Sequence, residues 1–434
     1  MLKKVLFFFF SMKIFVHNEI ITIPFHTKEE TINSEDIYTS TQLKNSEIIK
    51  IEIGEPKKEI PIVIKFNEFS FFISGKLVPE NIYNEENSKT FNSNNKTKFS
   101  CSDNLANIGY RANETFYFKN IKNNIIKYDN IGFILATNII RDDNCVLGLK
   151  IIKKDQRKED NFINELKSKK IINNYIWTLK YNKENDKIGE FIIGDYPHIY
   201  DKYNYNKEFL KISKIENSAS KFNEWIIKFD EINFNEKKIN VRNVKLEIEF
   251  GLIKAPMNYH EIFYNNIFLN CYYDTNECKQ IDLDLQYFSY VFNKKYNISK
   301  FPNITFVHKE FQYNFTLTYK DLFKEYNGKY YFLIVFLRNH NQEWVFGKIF
   351  LKKYQFIFDP EKRLIGFYNQ KINFQNNSYL IWIIIFSLII FIIILIFFYI
   401  CCFKKKRKIR NNEIEDGYDY STHENGENKL YFSL

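Results

Sequence analysis

Residues 379–403, close to the C-terminus, contain no charged side chain; they read YLIWIIIFSLIIFIIILIFFYICCF. About 20 apolar residues in sequence suffice to cross a bilayer as a helix, so this segment predicts a transmembrane helix rather than a buried core helix. A basic run follows it directly, made up of Lys404, Lys405, Lys406, Arg407, Lys408 and Arg410. Because positive charge stays on the cytosolic side of a membrane, we expect a single-pass type I protein with residues 404–434 as a cytosolic tail.

A type I orientation requires an N-terminal signal. Lys3 and Lys4 precede the apolar residues 5–10, which is the order of charges and apolar residues in secretory signal peptides. Residues 1–17 are therefore predicted to be a signal peptide, although Lys13 interrupts them and the alternative is a first strand. The predicted ectodomain would be lumenal in the secretory or endolysosomal pathway, or extracellular at the cell surface.

Four cysteines precede the apolar segment, and an oxidising compartment favours disulfides between them. Cys271 and Cys278 enclose a short loop and are the first predicted pair, and Cys101 with Cys145 is the second. Cys401 and Cys402 at the membrane boundary are either palmitoylation sites or spare apolar residues. The predicted glycosylation sites are the six Asn-x-Ser/Thr sequons, at Asn95, Asn113, Asn297, Asn303, Asn314 and Asn376.

The net charge of +10 does not indicate a nucleic-acid partner, because six of the positive charges lie in the run after the apolar segment. The chain has no Walker loop, G-x-S-x-G, H-E-x-x-H or C-x-x-C motif. We therefore expect no metal and no cofactor. The tail ends in Tyr431-Phe-Ser-Leu434, which resembles a Tyr-x-x-hydrophobic sorting signal that trafficking adaptors read.

The ectodomain is predicted to be mainly β, because its apolar residues recur with a period of two. Ile49, Ile51 and Ile53 alternate with charged residues, and the turn at 54–56 leads into a second apolar strand. Further strands are predicted at Thr115–Phe118, Ile131–Ala136, Glu190–Gly194, Trp225–Phe229, Tyr330–Phe336, Trp344–Phe350 and Gln355–Phe358. Helices are predicted only at 160–168 and 258–268, a proportion typical of a mainly β fold.

Several segments, taken in order, resemble the pepsin-like aspartic proteases. In the first half these are Ile51-Glu-Ile-Gly54-Glu-Pro56 ("IGTP"), Asn87-Ser-Lys-Thr90-Phe91 ("SSTY"), Val146-Leu-Gly148-Leu149 ("GILGLG") and Gly189-Glu-x-x-Ile193-Gly194 ("GELILGG"). In the second half they are Phe301-Pro-Asn-Ile304-x-Phe306 ("FPxIxF"), Glu343-Trp-Val-Phe-Gly347-Lys-Ile-Phe350 ("WILGDVFL") and Phe356-Ile-Phe-Asp359 through Ile365-Gly-Phe367 ("VFDxxxxRIGFA"). The resemblance implies a bilobed double β-barrel, with an N-terminal lobe at 18–205, a C-terminal lobe at 206–375 and a cleft between them.

The resemblance also implies where catalysis would take place. The family uses two aspartates, each in a D-T/S-G loop, that share one proton and activate a water. The segment Pro61–Phe69 matches the first loop, with Lys65 on the Asp position, Phe66 on Thr and Asn67 on Gly. In the second loop Glu249 replaces the Asp if two residues are deleted before Pro256, whereas ungapped spacing selects Glu247.

A lysine opposite a glutamate forms an ion pair and cannot share a proton in this way. The resemblance therefore implies a catalytically degenerate member that binds a peptide or protein in its cleft. The first alternative is an active, divergent aspartic endopeptidase that uses Glu249 with another acid, Glu68 or Asp230. The second alternative is a structural or adhesive surface protein.

Overall fold

The computed structural model describes residues 19–28, 46–78, 82–93, 96–100, 108–139, 145–151, 160–215, 223–234, 237–241, 243–269, 271, 277–283, 285–338, 343–370, 385–400 and 403–404. The predicted signal peptide, Cys101, Asn95, Asn376, Cys401, Cys402 and the sorting signal at Tyr431 and Leu434 lie outside these ranges. The described chain is mainly β, as the alternation of apolar residues predicts.

The strands in the first half are β1 (Ile21–Thr27), β2 (Glu47–Ile53), β3 (Lys58–Lys65), β4 (Phe71–Ser74), β5 (Phe99–Ser100), β6 (Ile108–Asn120), β7 (Ile125–Asn138), β8 (Cys145–Gly148), β9 (Trp177–Tyr181) and β10 (Ile188–Ile193). Those in the second half are β11 (Leu210–Lys214), β12 (Ile226–Lys228), β13 (Glu231–Phe234), β14 (Lys237–Asn240), β15 (Asn243–Leu246), β16 (Ile253–Pro256), β17 (Cys278–Asp282), β18 (Tyr287–Asn293), β19 (Ile304–His308), β20 (Tyr313–Leu317), β21 (Phe323–Tyr326), β22 (Lys329–Phe332), β23 (Ile334–Leu337), β24 (Trp344–Phe346), β25 (Ile357–Asp359) and β26 (Leu364–Tyr368).

In the described part of residues 19–370 the α-helices are short: α1 (Phe162–Ser168), α2 (Pro197–Tyr200), α3 (Met257–Phe263), α4 (Tyr319–Leu322) and α5 (Lys348–Lys353). The predicted helix at 160–168 corresponds to α1. The predicted helix at 258–268 is α3 continued by one wider, π-helical turn at Tyr264–Phe268.

Within the described ranges the strands form three sheets. The largest has the order β11-β26-β25-β9-β10-β1-β2-β3-β8-β4-β7-β6-β5, and the second has the order β12-β15-β24-β16-β23-β18-β22-β21 with β17 beside β18. The third is β14-β13-β19-β20. Strands β11, β25 and β26 belong to the predicted C-terminal lobe but extend the first sheet, so one continuous sheet joins the two lobes.

The predicted hairpin at β2 and β3 is confirmed. Ile49, Ile51 and Ile53 are each at most 1% exposed, and the register pairs Ile51 with Ile60. The turn needs glycine, because Gly54 has φ +79° and an added Cβ would lie 2.9 Å from Ser88 Oγ. The alternation of apolar residues therefore sets which face of the sheet is buried.

Aromatic side chains fill the core where the two halves meet. Trp177 of β9 stacks on Phe358 of β25 with ring centroids 4.1 Å apart, and its edge meets Trp225 at 5.6 Å. The indole N–H of Trp225 donates to the backbone oxygen of Leu149 at 2.8 Å. Because these side chains come from both halves, the lobes share a buried apolar base.

Two predicted strands were too long. Residues 344–350 were predicted as one strand, but the strand ends at Phe346 and α5 begins at Lys348. The cause is Gly347, where the chain leaves the sheet, so a run of apolar residues continues through a change of secondary structure. The predicted strand at 330–336 is divided into β22 and β23 at Leu333.

Residues 372–434 form a second compact unit. Residues 385–400 of this unit are helical, and their side chains are exposed. Across the part of the chain that the structure describes, we find no helix that is both long enough and apolar enough to span a bilayer.

Candidate functional site

The two lobes repeat one strand arrangement at the positions where the family resemblance puts catalysis. In the first lobe, β3 runs parallel to β8, and β4 pairs antiparallel with the same strand. In the second lobe, β15 runs parallel to β24, and β16 pairs antiparallel with it. Each arrangement leaves a loop, residues 66–70 or 247–252, that crosses the end of its central strand.

A glycine at the end of each central strand allows the loop to pass over it. A Cβ on Gly148 would lie 2.6 Å from the backbone oxygen of Glu68, and a Cβ on Gly347 would lie 2.1 Å from that of Phe250. Both distances are far below van der Waals contact, so only glycine fits. The two hydrophobic-hydrophobic-Gly segments that the sequence suggested therefore have the same structural role in the two lobes.

The strand register relates the residues of one loop to those of the other. Lys65 lies opposite Gly148, and Leu246 lies opposite the residue before Gly347, so Glu247 is the counterpart of Lys65. By the same count Glu249 is the counterpart of Asn67. Glu247, the residue that ungapped spacing selects, therefore occupies the acid position of the second loop, and Glu249 occupies the glycine position.

The carboxylate of Glu247 is held within its own lobe. Its side chain is 14% exposed, and Lys245 Nζ lies 3.7 Å from its Oε1. The same ammonium group pairs with Glu224 Oε1 at 3.0 Å. Lys245 precedes Glu247 by two residues, which puts both side chains on one side of the extended backbone. Lys245 was not predicted from the sequence, although its period-two spacing from Glu247 was a usable signal.

Glu249 connects the two loops across the lobes. Its Oε1 accepts a hydrogen bond from the backbone N–H of Asn67 at 2.7 Å. Its Oε2 is buried and has no hydrogen-bond partner among the described residues. Burial, together with the negative charge of Glu247, raises the pKa of Glu249 to about 7, while the Asn67 N–H acts in the opposite direction. The carboxyl group therefore holds its proton to a higher pH than an exposed glutamate does.

In each loop, an apolar side chain occupies the position that holds Thr or Ser in the D-T/S-G motif of the family. Phe66 is 3% exposed, and its ring packs edge-on against Trp177 at 5.2 Å and Phe358 at 5.3 Å. Its counterpart Ile248 is fully buried. Neither side chain can donate a hydrogen bond to a carboxylate, so the groups that would orient a catalytic dyad are replaced by core packing.

The other acids considered from the sequence lie in different environments. Glu68 belongs to the first loop but is 7% exposed, and its backbone oxygen accepts the N–H of Lys150 at 2.8 Å. Asp230 precedes β13 of the four-stranded sheet, where its carboxylate accepts the N–H of Lys309 at 2.7 Å. Asp230 is therefore part of neither loop.

A buried ion pair that the sequence did not predict lies beside the second loop. Lys348, the residue after Gly347, contacts Glu47 of β2 at 2.5 Å, and their side chains are 4% and 0% exposed. Glu47 also accepts hydrogen bonds from Thr27 Oγ1 at 3.2 Å and Tyr181 OH at 3.1 Å. This pair joins the lobes, and the only local signal for it was a lysine inside an apolar segment.

One of the two predicted disulfides is present. Cys271 and Cys278 are bonded, with 5.4 Å between their Cα atoms. The prediction for Cys145 was wrong, because it is a free, buried thiol. Its strand, β8, is paired on both sides, and its Sγ lies 3.9 Å from Ser74 Oγ. The side chain thus packs into the covered sheet.

Four of the predicted glycosylation sites fall within the described ranges. Asn297, Asn303 and Asn314 are exposed, whereas Asn113 is half-buried on β6. Within those ranges no group of three or more His, Cys, Asp or Glu side chains is arranged to hold a metal ion.

Comparison with known proteins extends over most of the chain. The family model for eukaryotic aspartyl protease matches residues 48–370. Among solved structures, the chain is similar to basic 7S globulin from soybean, with 13% identity, a TM-score of 0.56 and coverage of 81% of this chain and 97% of that one. It is also similar to conglutin gamma, a basic 7S globulin from lupine seeds, with 12% identity, a TM-score of 0.59 and coverage of 82% and 96%. At these identities the structural likeness concerns the fold alone. No curated protein sequence matches the chain.

Proposed function

The chain belongs to the eukaryotic aspartyl protease family, and we propose that it is a pseudoprotease that binds a peptide or protein in the cleft between its lobes. It keeps the two loops of the family but does not cleave peptide bonds. The coarse architecture, a mainly β pepsin-like fold, is established by the family match and the sheets described above. The loss of proteolysis, the ligand and the membrane anchor are the proposed parts.

The observation that carries the proposal is the charge at the two acid positions. Proteolysis by this family needs two carboxyl groups that share a proton across the lobes. Here Lys65 is the last residue of β3 and lies opposite Gly148, and its counterpart Glu247 lies 3.7 Å from Lys245. Glu247 has no second acid at the equivalent position of the first loop, because that position holds Lys65. A water between these loops would lack the pair of carboxyl groups, one from each lobe, that supplies the general base and the general acid in this family.

The direct test is peptide cleavage by the full chain in mild detergent. A mixed peptide library would be incubated from about pH 3 to pH 7, the range in which carboxyl groups act as general acids and bases. An active aspartic protease would serve as the positive control. We expect no cleavage from folded, monodisperse protein. Cleavage that a transition-state inhibitor blocks, and that Glu247→Gln or Glu249→Gln abolishes, would overturn the proposal.

Ligand binding needs a separate test, because a structural spacer would also lack proteolytic activity. Binding of the same peptides would be measured by fluorescence anisotropy. Asn67→Trp places a large side chain at an exposed loop position, and Leu285→Trp does the same at a 95% exposed site on a different hairpin. We expect Asn67→Trp to weaken binding and Leu285→Trp to leave it unchanged. Equal affinities for all three proteins would favour the structural or adhesive alternative.

We also propose that residues 379–403 anchor the chain in a membrane in the type I orientation, with possible trafficking adaptors on the tail as partners. The support is the uncharged sequence, its length and the basic run that follows. Membranes from expressing cells would be washed with carbonate and treated with an endoglycosidase. An anchored, lumenal ectodomain predicts that the chain stays in the pellet and that the exposed Asn297, Asn303 and Asn314 carry glycans. Release into the wash would contradict the anchor.

One observation favours the active alternative. Burial, together with the negative charge of Glu247, raises the pKa of Glu249 to about 7. A buried carboxyl group whose pKa is raised beside a second carboxylate is a candidate for acid–base catalysis. Both glutamates, however, belong to one loop, and Oε2 of Glu249 is buried. The cleavage test above, with the two Gln variants, separates this alternative from the pseudoprotease.

A further inference from the structure

The last described residues of the β unit are held against the segment that follows α2. The backbone N–H of Asn369 donates to the backbone oxygen of Phe209 at 3.1 Å. The side-chain oxygen of Gln370 accepts the N–H of Asn206 at 3.0 Å. Strand β26 also pairs with β11 directly before this point. The segment 202–209 therefore marks where the chain leaves the β unit.

This segment presents aromatic and basic side chains to solvent. Tyr203 is 68% exposed and Phe209 is 43% exposed, and Lys202 and Lys207 are also exposed. We call these four residues the exit patch. Glu208 is the one carboxylate in the sequence from 202 to 211. Single exposed aromatics are common on soluble proteins, so their exposure alone would decide nothing.

The chemistry of the exit patch suits the surface of a lipid bilayer. Tyr and Trp side chains are enriched at the level of the lipid headgroups, where the apolar part of the ring meets a polar layer. Lysines beside them lay their apolar stems along the membrane surface and keep the ammonium group in water. A cluster of two aromatics and two lysines within eight residues has both features.

The length of the chain that follows limits how far the exit patch can be from a membrane. Residues 371–378 are the eight residues between Gln370 and the uncharged segment that begins at Tyr379. A chain spans at most about 3.5 Å per residue, so eight residues reach about 28 Å even when fully extended. If residues 379–403 are in a bilayer, the patch cannot move further from its surface than this tether allows.

We infer that the exit patch docks onto the headgroup layer of the membrane that holds residues 379–403, an inference that rests on the proposed membrane anchor. The partner is a lipid surface, recognised by aromatic rings and lysine side chains and not by one specific lipid. Docking at this point restrains the ectodomain relative to the membrane, because the tether and the patch then act as two attachments.

The test uses quenching of tryptophan by lipids that carry bromine close to the headgroup end of their acyl chains. Trp177, Trp225 and Trp344 are each about 1% exposed, so contact with lipid cannot quench them. Trp382 lies inside the uncharged segment and reports on insertion of the anchor itself. The full chain would be reconstituted in phosphatidylcholine vesicles with and without bromine, as wild type and as Trp382→Phe.

A reporter is then added to the Trp382→Phe background. Tyr203→Trp puts the new indole in the exit patch, and Leu285→Trp puts it at a 95% exposed site between β17 and β18. We expect the emission of the Tyr203→Trp reporter to fall and shift to shorter wavelength in brominated vesicles, and that of the Leu285→Trp reporter to stay unchanged. Both substitutions are at exposed positions, so neither threatens folding.

The outcomes distinguish failure of the docking inference from failure of the proposed membrane anchor. Quenching of wild type through Trp382, with equal and negligible quenching of both reporters, would overturn the docking inference and leave the anchor intact. Quenching of the Tyr203→Trp reporter without quenching at Trp382 would contradict the anchor and still support a lipid-binding patch. No quenching at any of the three positions would overturn both.

Discussion

Replacing Glu249 with Gln is expected to change how stability depends on pH. The pKa of Glu249 is raised from its ordinary 4.5 to about 7. Between these two pH values the folded protein retains a proton that the unfolded chain has released, so the free energy of unfolding falls as pH rises through this window. The stability contributed by the protonated form is complete below pH 4.5 and is lost above pH 7.

The size of the effect follows from the same two values. Their difference of 2.5 in pKa corresponds to about 3 kcal/mol at 1.36 kcal/mol per unit. Gln has the shape of Glu without the charge, so it avoids this cost at high pH. Its amide oxygen can still accept the Asn67 N–H, as a neutral carboxyl group does, and the pKa of about 7 already includes the stronger bond to the charged form. The variant should therefore be more stable than wild type by about 3 kcal/mol at pH 8.

The measurement is urea unfolding of the full chain in mild detergent, followed by the fluorescence of the buried tryptophans from about pH 4 to pH 8, which spans the window given by the two pKa values. The difference between Glu249→Gln and wild type isolates this group, because the other titrating groups contribute to both proteins. Glu325→Gln is the matched control, since its carboxylate is 51% exposed in a surface pair with Lys294. A difference that stays flat across the pH range for Glu249→Gln would refute the reasoning.

Three further changes in stability are expected. Lys348→Met leaves Glu47 buried and without its cation, which should lower the free energy of unfolding by about 3 kcal/mol. The control Lys352→Met removes the partner of an exposed aspartate and should lower it by less than about 1 kcal/mol. Similar losses of stability in the two variants would contradict the role of burial. Gly347→Ala places a Cβ 2.1 Å from a backbone oxygen and should lower the free energy of unfolding by about 3 kcal/mol or prevent folding. At the control position Gly328 an added Cβ meets open space, so Gly328→Ala should cost only backbone strain of about 1 kcal/mol. Equal shifts of the thermal midpoint for the two variants would contradict the close approach at Gly347. Reducing the disulfide of the second lobe, whose cysteines are 7 residues apart, should cost about 2 kcal/mol in urea unfolding, and an unchanged midpoint would contradict its contribution.

The fold was predictable because its signals are local. The alternation at Ile49, Ile51 and Ile53 fixes which face of β2 is buried, and the glycines at 148 and 347 mark where the loops cross their central strands. Where a local signal was ambiguous the prediction was wrong, as in the apolar run 344–350. Apolar content does not distinguish a strand that ends at Phe346 from one that continues to Phe350.

The site was predictable only in part, because its contacts join residues far apart in the chain. Spacing identified Lys65 and left Glu247 and Glu249 as alternatives, and only the strand register showed which of the two glutamates is the counterpart of Lys65. The hydrogen bond from Asn67 to Glu249 and the pair of Lys348 with Glu47 have no pattern in the sequence. They depend on how the two lobes pack.

The central claim is that no dyad of carboxyl groups spans the two loops, and inhibitor binding tests it most directly. A transition-state inhibitor of aspartic proteases binds tightly because its hydroxyl group lies between two carboxyl groups that share a proton. Titration calorimetry of the full chain with such an inhibitor, at acidic and neutral pH, is predicted to show no binding above that of a matched peptide without the hydroxyl. Tight binding that depends on the hydroxyl and is lost in Glu247→Gln would contradict the claim and establish an active protease site.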